Sequence, residues 1–146
     1  AKKLKLTFVD IDKEIEKELG ISIKKIFETK GENFFRKLEE KITLKKLKLD
    51  SVVISLGGGA FTNKLIRKEV LRSSVSFWLN WNTTILLKRI RYSKKRPLAF
   101  NATDNQLVDL IKKRNNVYSK ALYEIKCDNL SKKQVIDKVL KIYETH

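Results

Sequence analysis

Residues 6–20 read LTFVDIDKEIEKELG, and this stretch decides the fold class. An apolar run typical of a strand buried on both faces ends in two carboxylates, Asp10 and Asp12. An amphipathic helical pattern then continues to Gly20. A strand followed at once by a helix is the repeating unit of parallel sheets that are covered by helices. The stretch therefore predicts an α/β protein.

The same alternation of apolar runs and amphipathic stretches continues along the chain. Predicted strands span 6–10, 51–56, 75–80 and 123–127. Predicted helices span 13–19 with Asp12 as N-cap, 23–30 with a stop at Gly31, 32–47, 63–72, 83–93, 104–122 and 131–143. Strands separated by helices predict a parallel sheet with right-handed crossovers, and ligands bind such sheets beyond the carboxyl ends of the strands.

Length and composition limit the remaining possibilities. A chain of 146 residues has the size of one domain, so a single domain over residues 1–146 is expected. The net charge of +16 invites a nucleic-acid partner, but the lysines alternate with acids on helical faces, so none is expected. No apolar run approaches the roughly 18 residues of a membrane span. Cys127, the single cysteine, cannot form a disulfide within the chain, and a cytoplasmic location is expected.

Two roles are open to Asp12. It can cap the helix that follows, or it can accept hydrogen bonds from substrate hydroxyls and take a proton from one of them. Asp10 projects to the same side as Asp12 if the strand geometry continues. Paired acids at the rim of an α/β sheet commonly serve Mg²⁺ and its waters.

Three consecutive glycines, Gly57, Gly58 and Gly59, follow the second predicted strand. They allow a backbone to approach a ligand without intervening side chains, although an ordinary turn is also open. No GK[ST] follows them, so they do not form a Walker A phosphate loop.

Arginines at three positions stand out in a chain that mostly uses lysine. Arg36 and Arg114 lie on predicted helices, where they are either solvated surface charges or binders of a carboxylate in two-pronged geometry. Arg96 lies in the long polar loop around Pro97, where a cation could close over a transferring phosphoryl group. Cys127 is expected to be a small buried residue rather than a nucleophile.

Taken together, these segments resemble the shikimate kinase family. The matching segments are FVDIDKEIEKELGISIKKIFETKGENFFRKLEEK (8–41), VVISLGGGA (52–60), FWLNWNTTILLKRI (77–90), KKRPL (94–98) and LIKKRNNVYSKAL (110–122). They contain, in order, F-x-D-x-D, G-x-S-I-x-x-I-F, G-E-x-x-F-R-x-x-E, G-G-G, R-P-L and R-x-x-x-Y. The resemblance covers almost the whole chain, and the ordered set is specific, whereas each motif alone is weak.

The resemblance implies ATP-dependent phosphorylation of the 3-hydroxyl of shikimate, a step toward chorismate and the aromatic amino acids. It implies small-molecule substrates, a Mg²⁺ ion and a monomer. By position, the resemblance implies that Asp12 binds the substrate hydroxyls and takes part in proton transfer, and that Arg36 and Arg114 bind the shikimate carboxylate. It implies that Gly57, Gly58 and Gly59 contact the substrate ring. On the nucleotide side, it implies that Arg96 contacts the phosphates, that Arg89 and Ser131 lie near the nucleotide, and that Asp10 contacts Mg²⁺ through water.

The resemblance also implies a three-layer sandwich with a parallel sheet in the order 2-3-1-4-5. It places a shikimate-binding region at about 12–42 and a mobile lid at about 93–104. The family begins with a strand and a G-x-x-G-x-G-K-[ST] loop that the printed sequence does not contain. The expectation is therefore that the central strand and the P-loop precede Ala1, and that the printed chain alone is inactive. The alternatives are a non-catalytic binding protein with the same fold, and a basic nucleic-acid binder.

Overall fold

The computed structural model describes residues 1–92 and 102–146, which form two compact units, Ala1–Ser74 and Val75–His146. The first unit contains, in order, a short 3-10 helix (Lys2–Leu4), β1 (Thr7–Asp10), α1 (Ile11–Leu19), α2 (Ile23–Lys46), β2 (Val52–Ser55), a second 3-10 helix (Ala60–Thr62) and α3 (Lys64–Ser73). The second unit contains β3 (Phe77–Asn80), α4 (Thr83–Tyr92), α5 (Asp104–Tyr118), β4 (Tyr123–Lys126) and α6 (Lys132–Glu144).

Each unit is built on one pair of parallel strands. β1 pairs with β2, and β3 pairs with β4, each over four residues in parallel register. The predicted α/β class and all four predicted strands are confirmed. These are also the pairs that the order 2-3-1-4-5 places together, the second strand with the third and the fourth with the fifth.

The start of α1 differs from the prediction. Asp10, the last residue of β1, is the N-cap, and its Oδ1 accepts hydrogen bonds from the amides of Asp12 at 3.1 Å and Lys13 at 3.4 Å. The prediction that Asp12 caps this helix is wrong, because β1 passes into α1 without an intervening residue. Asp12 instead lies in the first turn of the helix, so the alternation of a strand no longer relates the two side chains.

Two substitutions distinguish the capping role of Asp10 from the effect of its negative charge. Asp10→Ala and Asp10→Ser both remove the carboxylate, but serine keeps an oxygen that accepts from the first-turn amides. We expect the alanine variant to be less stable than the serine variant by about 1 kcal/mol in the free energy of unfolding. Urea titration of both variants measures this difference, and equal stabilities would contradict the capping role.

Two helix boundaries have local causes. The helix predicted to stop at Gly31 does break there, but α2 resumes directly, and Gly31 has φ 77° and ψ 172°. Only glycine adopts this conformation readily. α5 ends at Tyr118, short of the predicted 122, because the amide of Leu122 already donates to the hydroxyl of Ser76 at 2.9 Å on the way into β4.

Apolar side chains from β1, α1 and α2 form the core of the first unit. This core contains Val9, Ile11, Ile15, Ile26, Phe35 and Ile42, which are all at most 5% exposed. In the second unit, α4 packs on α5 through Ile90, Leu107 and Ile111. Cys127 is buried, as predicted. None of the helices in the described parts of the chain has the length and apolar character needed to span a bilayer.

Candidate functional site

The first unit brings three of the predicted site elements into contact. Asp12 follows β1, the glycine loop Gly57–Gly59 follows β2, and Arg36 projects from α2. A methyl group added at Gly57 would lie 2.7 Å from Oδ1 of Asp12. One added at Gly59 would lie 2.7 Å from Cζ of Arg36 and would overlap Nη1. The loop backbone therefore packs directly against both charged side chains, in the space that any other residue would fill.

Arg36 is held by two glutamates of its own helix. Its Nη1 donates to Oε2 of Glu39 at 2.7 Å, and its Nε donates to Oε1 of Glu32 at 3.2 Å. Glu39 is only 2% exposed, whereas the Arg36 side chain is 30% exposed. The guanidinium also lies over the Phe35 ring, with Cζ 5.1 Å from the ring centroid. Arg36 is thus fixed along one edge while part of it faces solvent, as a carboxylate-binding arginine requires.

The charges around Asp12 change its proton affinity. Burial raises the pKa of the Asp12 carboxyl above its usual value, and the negative charges of Asp10 and Glu39 raise that pKa further. Arg36 acts in the opposite direction but does not cancel these effects. A carboxylate with a raised pKa is a better proton acceptor near neutral pH, which suits a general base.

The charge of Arg36 is secured by its partners. Burial disfavours the charged guanidinium, but the hydrogen bonds and negative charges of Glu39 and Glu32 outweigh it, and the pKa of Arg36 is raised. The site therefore presents a permanent cation beside a carboxylate of raised pKa. That pairing can bind an anionic substrate and accept a proton from one of its hydroxyls.

Gly59→Ala should displace Arg36 without straining the backbone, since Gly59 has φ −112° and ψ −18°, which alanine also adopts. We expect little change in Tm, because the overlapping guanidinium can move. The affinity for an anionic substrate should fall about tenfold, because the guanidinium shifts away from the loop while its charge stays paired with Glu39. Calorimetric titration with shikimate, the substrate that the sequence resemblance implies, measures this loss. Unchanged affinity in Gly59→Ala would contradict the contact between the loop and Arg36 as a binding feature.

Glu39 is the site residue that the sequence reasoning did not single out. It occupies the buried stripe of α2 between Phe35 and Ile42, and it is the acid three residues after Arg36. An acidic residue on the apolar face of a helix is a detectable signal, because an unpaired carboxylate is rarely buried. The spacing from Arg36 then identifies its partner.

The predicted residues of the second unit are described separately. Arg89 lies over the Trp81 ring, with Cζ 4.5 Å from the centroid. Ser131 caps α6, and its hydroxyl accepts from the amide of Gln134 at 3.2 Å. Arg114 lies on α5 and is half-buried. Arg96 and residues 93–101 of the predicted lid lie outside the described residues.

A dedicated metal cage is absent from the described ranges 1–92 and 102–146, where no group of three or more His, Cys, Asp or Glu side chains could hold an ion. Asp10 and Asp12 are two hard oxygen donors at the junction of β1 and α1, where Oδ1 of Asp10 accepts from the amide of Asp12 at 3.1 Å. Mg²⁺ in phosphoryl-transfer enzymes is held by one or two carboxylates together with substrate phosphates and water. The residues present fit that arrangement.

A family model described as shikimate kinase matches residues 1–144 of the chain. The chain is similar to the shikimate kinase of Bacillus subtilis (strain 168), with 35% identity over 97% of this chain and 77% of the relative. It is also similar to that of Sulfurihydrogenibium sp. (strain YO3AOP1), with 34% identity over 96% and 84%.

Solved structures give the same result for the fold. The structure is similar to the shikimate kinase of Aquifex aeolicus vf5, with a TM-score of 0.84, 31% identity and coverage of 99% of this chain and 85% of that one. It is similar to the shikimate kinase of Acinetobacter baumannii in complex with shikimate, with a TM-score of 0.92, 29% identity and coverage of 99% and 82%.

Proposed function

Because this chain belongs to the shikimate kinase family, we propose that it transfers the γ-phosphoryl group of ATP to the 3-hydroxyl of shikimate. One observation supports this particular reaction, in addition to the membership of the chain in a family of phosphotransferases. The glycine loop of the first unit packs against both Asp12 and Arg36, so a proton acceptor and a carboxylate-binding cation share one surface. Shikimate carries hydroxyls and a carboxylate, and this surface offers a partner for each.

Asp12 is proposed to orient the reacting hydroxyl and to take its proton. The oxygen then forms a bond to the γ-phosphorus while the bond from that phosphorus to the β–γ bridging oxygen breaks, and ADP leaves with the electron pair. The raised pKa of Asp12 favours accepting this proton. Most of the rate enhancement of such a reaction comes from positioning and charge neutralisation, which is the part that a fixed Arg36 supplies.

The shikimate carboxylate is proposed to bind Arg36 and Arg114. Arg36 is suited to this role because Glu39 and Glu32 fix its guanidinium before substrate arrives. Gly57, Gly58 and Gly59 are proposed to contact the substrate ring through their backbone. Their lack of side chains leaves the polar edge of the loop accessible.

On the nucleotide side, Arg96 is proposed to contact the phosphates and Arg89 to lie near the nucleotide. Ser131 remains assigned there although its hydroxyl caps α6. Mg²⁺ bound to ATP would neutralise charge on the β- and γ-phosphates, with Asp10 contacting it through water. The expectation that a P-loop precedes Ala1 stays a prediction, and sequencing of the coding region upstream of Ala1 tests it.

A coupled assay of ADP release tests the proposed function. Two proteins are assayed with ATP and Mg²⁺, with and without shikimate. One is the chain of residues 1–146, and the other is the product of its complete reading frame. We expect the complete product to release ADP only when shikimate and Mg²⁺ are both present. ADP release without shikimate dependence would contradict the proposal. Shikimate binding by the complete product without turnover would favour the non-catalytic alternative.

A further inference from the structure

We infer that the hydrogen bond between Asn63 and Glu40 positions the glycine loop against α2, and that Asn63 is a positioning residue for shikimate binding. The inference rests on the proposed function, because it identifies the contact that keeps the glycine loop in place against α2 in the proposed shikimate site. Neither residue is part of the chemistry. Their effect passes through the loop to Arg36 and Asp12.

Asn63 uses both ends of one side-chain amide. Its Nδ2 donates to Oε2 of Glu40 at 2.5 Å. Its Oδ1 accepts from the amides of Leu65 at 2.8 Å and Ile66 at 3.1 Å, and so caps α3. The side chain therefore connects the start of α3 to a residue of α2 that is 23 positions earlier in the chain. A cap alone needs only the oxygen, so the bond to Glu40 is a separate function of the same group.

The glycine loop needs positioning from its flanks because it has no side chains of its own. Between it and Asn63 lies a tight turn, in which the amide of Ala60 donates to the carbonyl of Gly57 at 3.1 Å. The amide of Thr62 donates to the carbonyl of Gly59 at 3.0 Å, and the Thr62 hydroxyl donates to the same carbonyl at 2.5 Å. Together with the bond from the amide of Asn63 to the carbonyl of Ala60 at 3.0 Å, these bonds connect Gly57 to Asn63 through consecutive turns.

The other end of the connection lies beside the substrate-binding residues. Glu40 follows Glu39 in α2, and Glu39 holds Arg36. The Asn63–Glu40 bond therefore sets the spacing between the glycine loop and the helix that carries Arg36. Gly59 has no room for a methyl group against that guanidinium, so a small shift of the loop changes the site directly. Displacements of about 1 Å at a binding site cost large factors in rate and affinity.

Asn63→Asp removes the hydrogen bond to Glu40 but keeps the cap of α3. Aspartate caps a helix as well as asparagine does and is favoured by the helix dipole, so α3 is retained. It cannot donate to Glu40, however, and it places a second carboxylate against it. In the double variant Asn63→Asp/Glu40→Gln, the glutamine amide donates to the new aspartate. The hydrogen bond is restored with its direction reversed, and the net charge of the wild type is kept. Glu40→Gln alone keeps an acceptor for Asn63.

All four proteins are compared by two readouts: the Kd for shikimate from calorimetry, and hydrogen exchange of the Gly57–Gly59 amides and of the Arg36 Nε–H by NMR. We expect Asn63→Asp to weaken binding about tenfold and to speed exchange in the loop. Glu40→Gln should stay within about threefold of wild type, and the double variant should recover to within the same range.

The outcomes distinguish a failure of the positioning inference from a failure of the proposed function. If the wild type binds shikimate and Asn63→Asp binds equally well, or if the double variant does not recover, the positioning inference is wrong while the proposed function stands. If the wild type does not bind shikimate but loop exchange changes in Asn63→Asp and returns in the double variant, the positioning of the loop is supported and the proposed function fails.

Discussion

Asp12→Asn should lower the rate of shikimate-dependent ADP release by about 10²–10⁴-fold, the usual contribution of a general base. Asparagine keeps the size of the side chain and can still hydrogen-bond to substrate hydroxyls, but it cannot take a proton. We therefore expect a fall in kcat with a much smaller change in the KM for shikimate. A change in KM alone would contradict proton transfer to Asp12 and would leave it a binding residue.

The same substitution should raise stability at neutral pH. The pKa of Asp12 is raised in the folded state, so the folded protein holds this proton more tightly than the unfolded chain does. Ionised Asp12 therefore costs stability, and that cost grows as the pH rises from the usual aspartate pKa through the raised one. We expect Asp12→Asn to raise Tm at pH 7 by about 2–4 °C, and the gain to vanish below the usual aspartate pKa.

Glu18→Gln is the matched control, because Glu18 lies exposed on the same helix. It also replaces an acid with its amide, and because the side chain is exposed it should leave kcat and the Tm at pH 7 at their wild-type values. Thermal unfolding between pH 3 and pH 8 compares the three proteins. A Tm gain in Asp12→Asn that is independent of pH would show that the carboxylate charge is not its cause.

Arg36→Ala should have the second large effect, on stability and binding together. It leaves Glu39 buried without its cation, and such a loss destabilises a protein by on the order of 3 kcal/mol. It also removes the cation proposed for the shikimate carboxylate, so the Kd for shikimate should rise about 100-fold. Arg36→Lys separates the two effects, since the ammonium still neutralises Glu39 but lacks the planar fork. We expect it to restore most of the stability and little of the affinity.

The chain offers a matched pair as control. Arg72 and Glu69 lie three residues apart on α3, with Nη2 of Arg72 2.6 Å from Oε1 of Glu69, but the arginine side chain is 70% exposed. Exposed pairs of this kind contribute little because water screens them. Arg72→Ala should therefore leave urea unfolding and shikimate affinity unchanged. Equal losses in Arg36→Ala and Arg72→Ala would contradict the special role of burial at Glu39.

The strands were predictable because near-continuous apolar runs such as LTFV and VVIS have few other uses in a chain of this size. The glycine loop was predictable as a close backbone approach, and its neighbours Asp12 and Arg36 were named with it. Position after a strand places Asp12 and the glycine loop at one edge of a parallel sheet, whereas Arg36 was singled out because arginine is unusual in this lysine-rich chain. The composition of these segments and their order along the chain are therefore enough to predict the strands and the glycine loop.

The residues that hold the site in place were not predictable in the same way. Glu39 and Glu40 both follow Arg36 in a charged stretch, RKLEEK, and only the helical spacing from Phe35 and Ile42 signals that Glu39 faces inward. No sequence pattern pairs Glu40 with Asn63, and that contact is seen only in the packing of α2. The cap at α1 was missed because either aspartate satisfies the capping preference, and the choice depends on where β1 ends.

Titration of isotopically labelled protein with shikimate, followed by NMR, tests the central claim most directly. The signals to follow are the Gly57–Gly59 amides, the Arg36 Nε–H and the Asp12 carboxyl carbon. We expect all of them to shift together with one Kd, and the exposed Arg72 Nε–H to stay unchanged. Saturable shikimate binding that leaves the Asp12, Arg36 and glycine-loop signals in place would contradict the site.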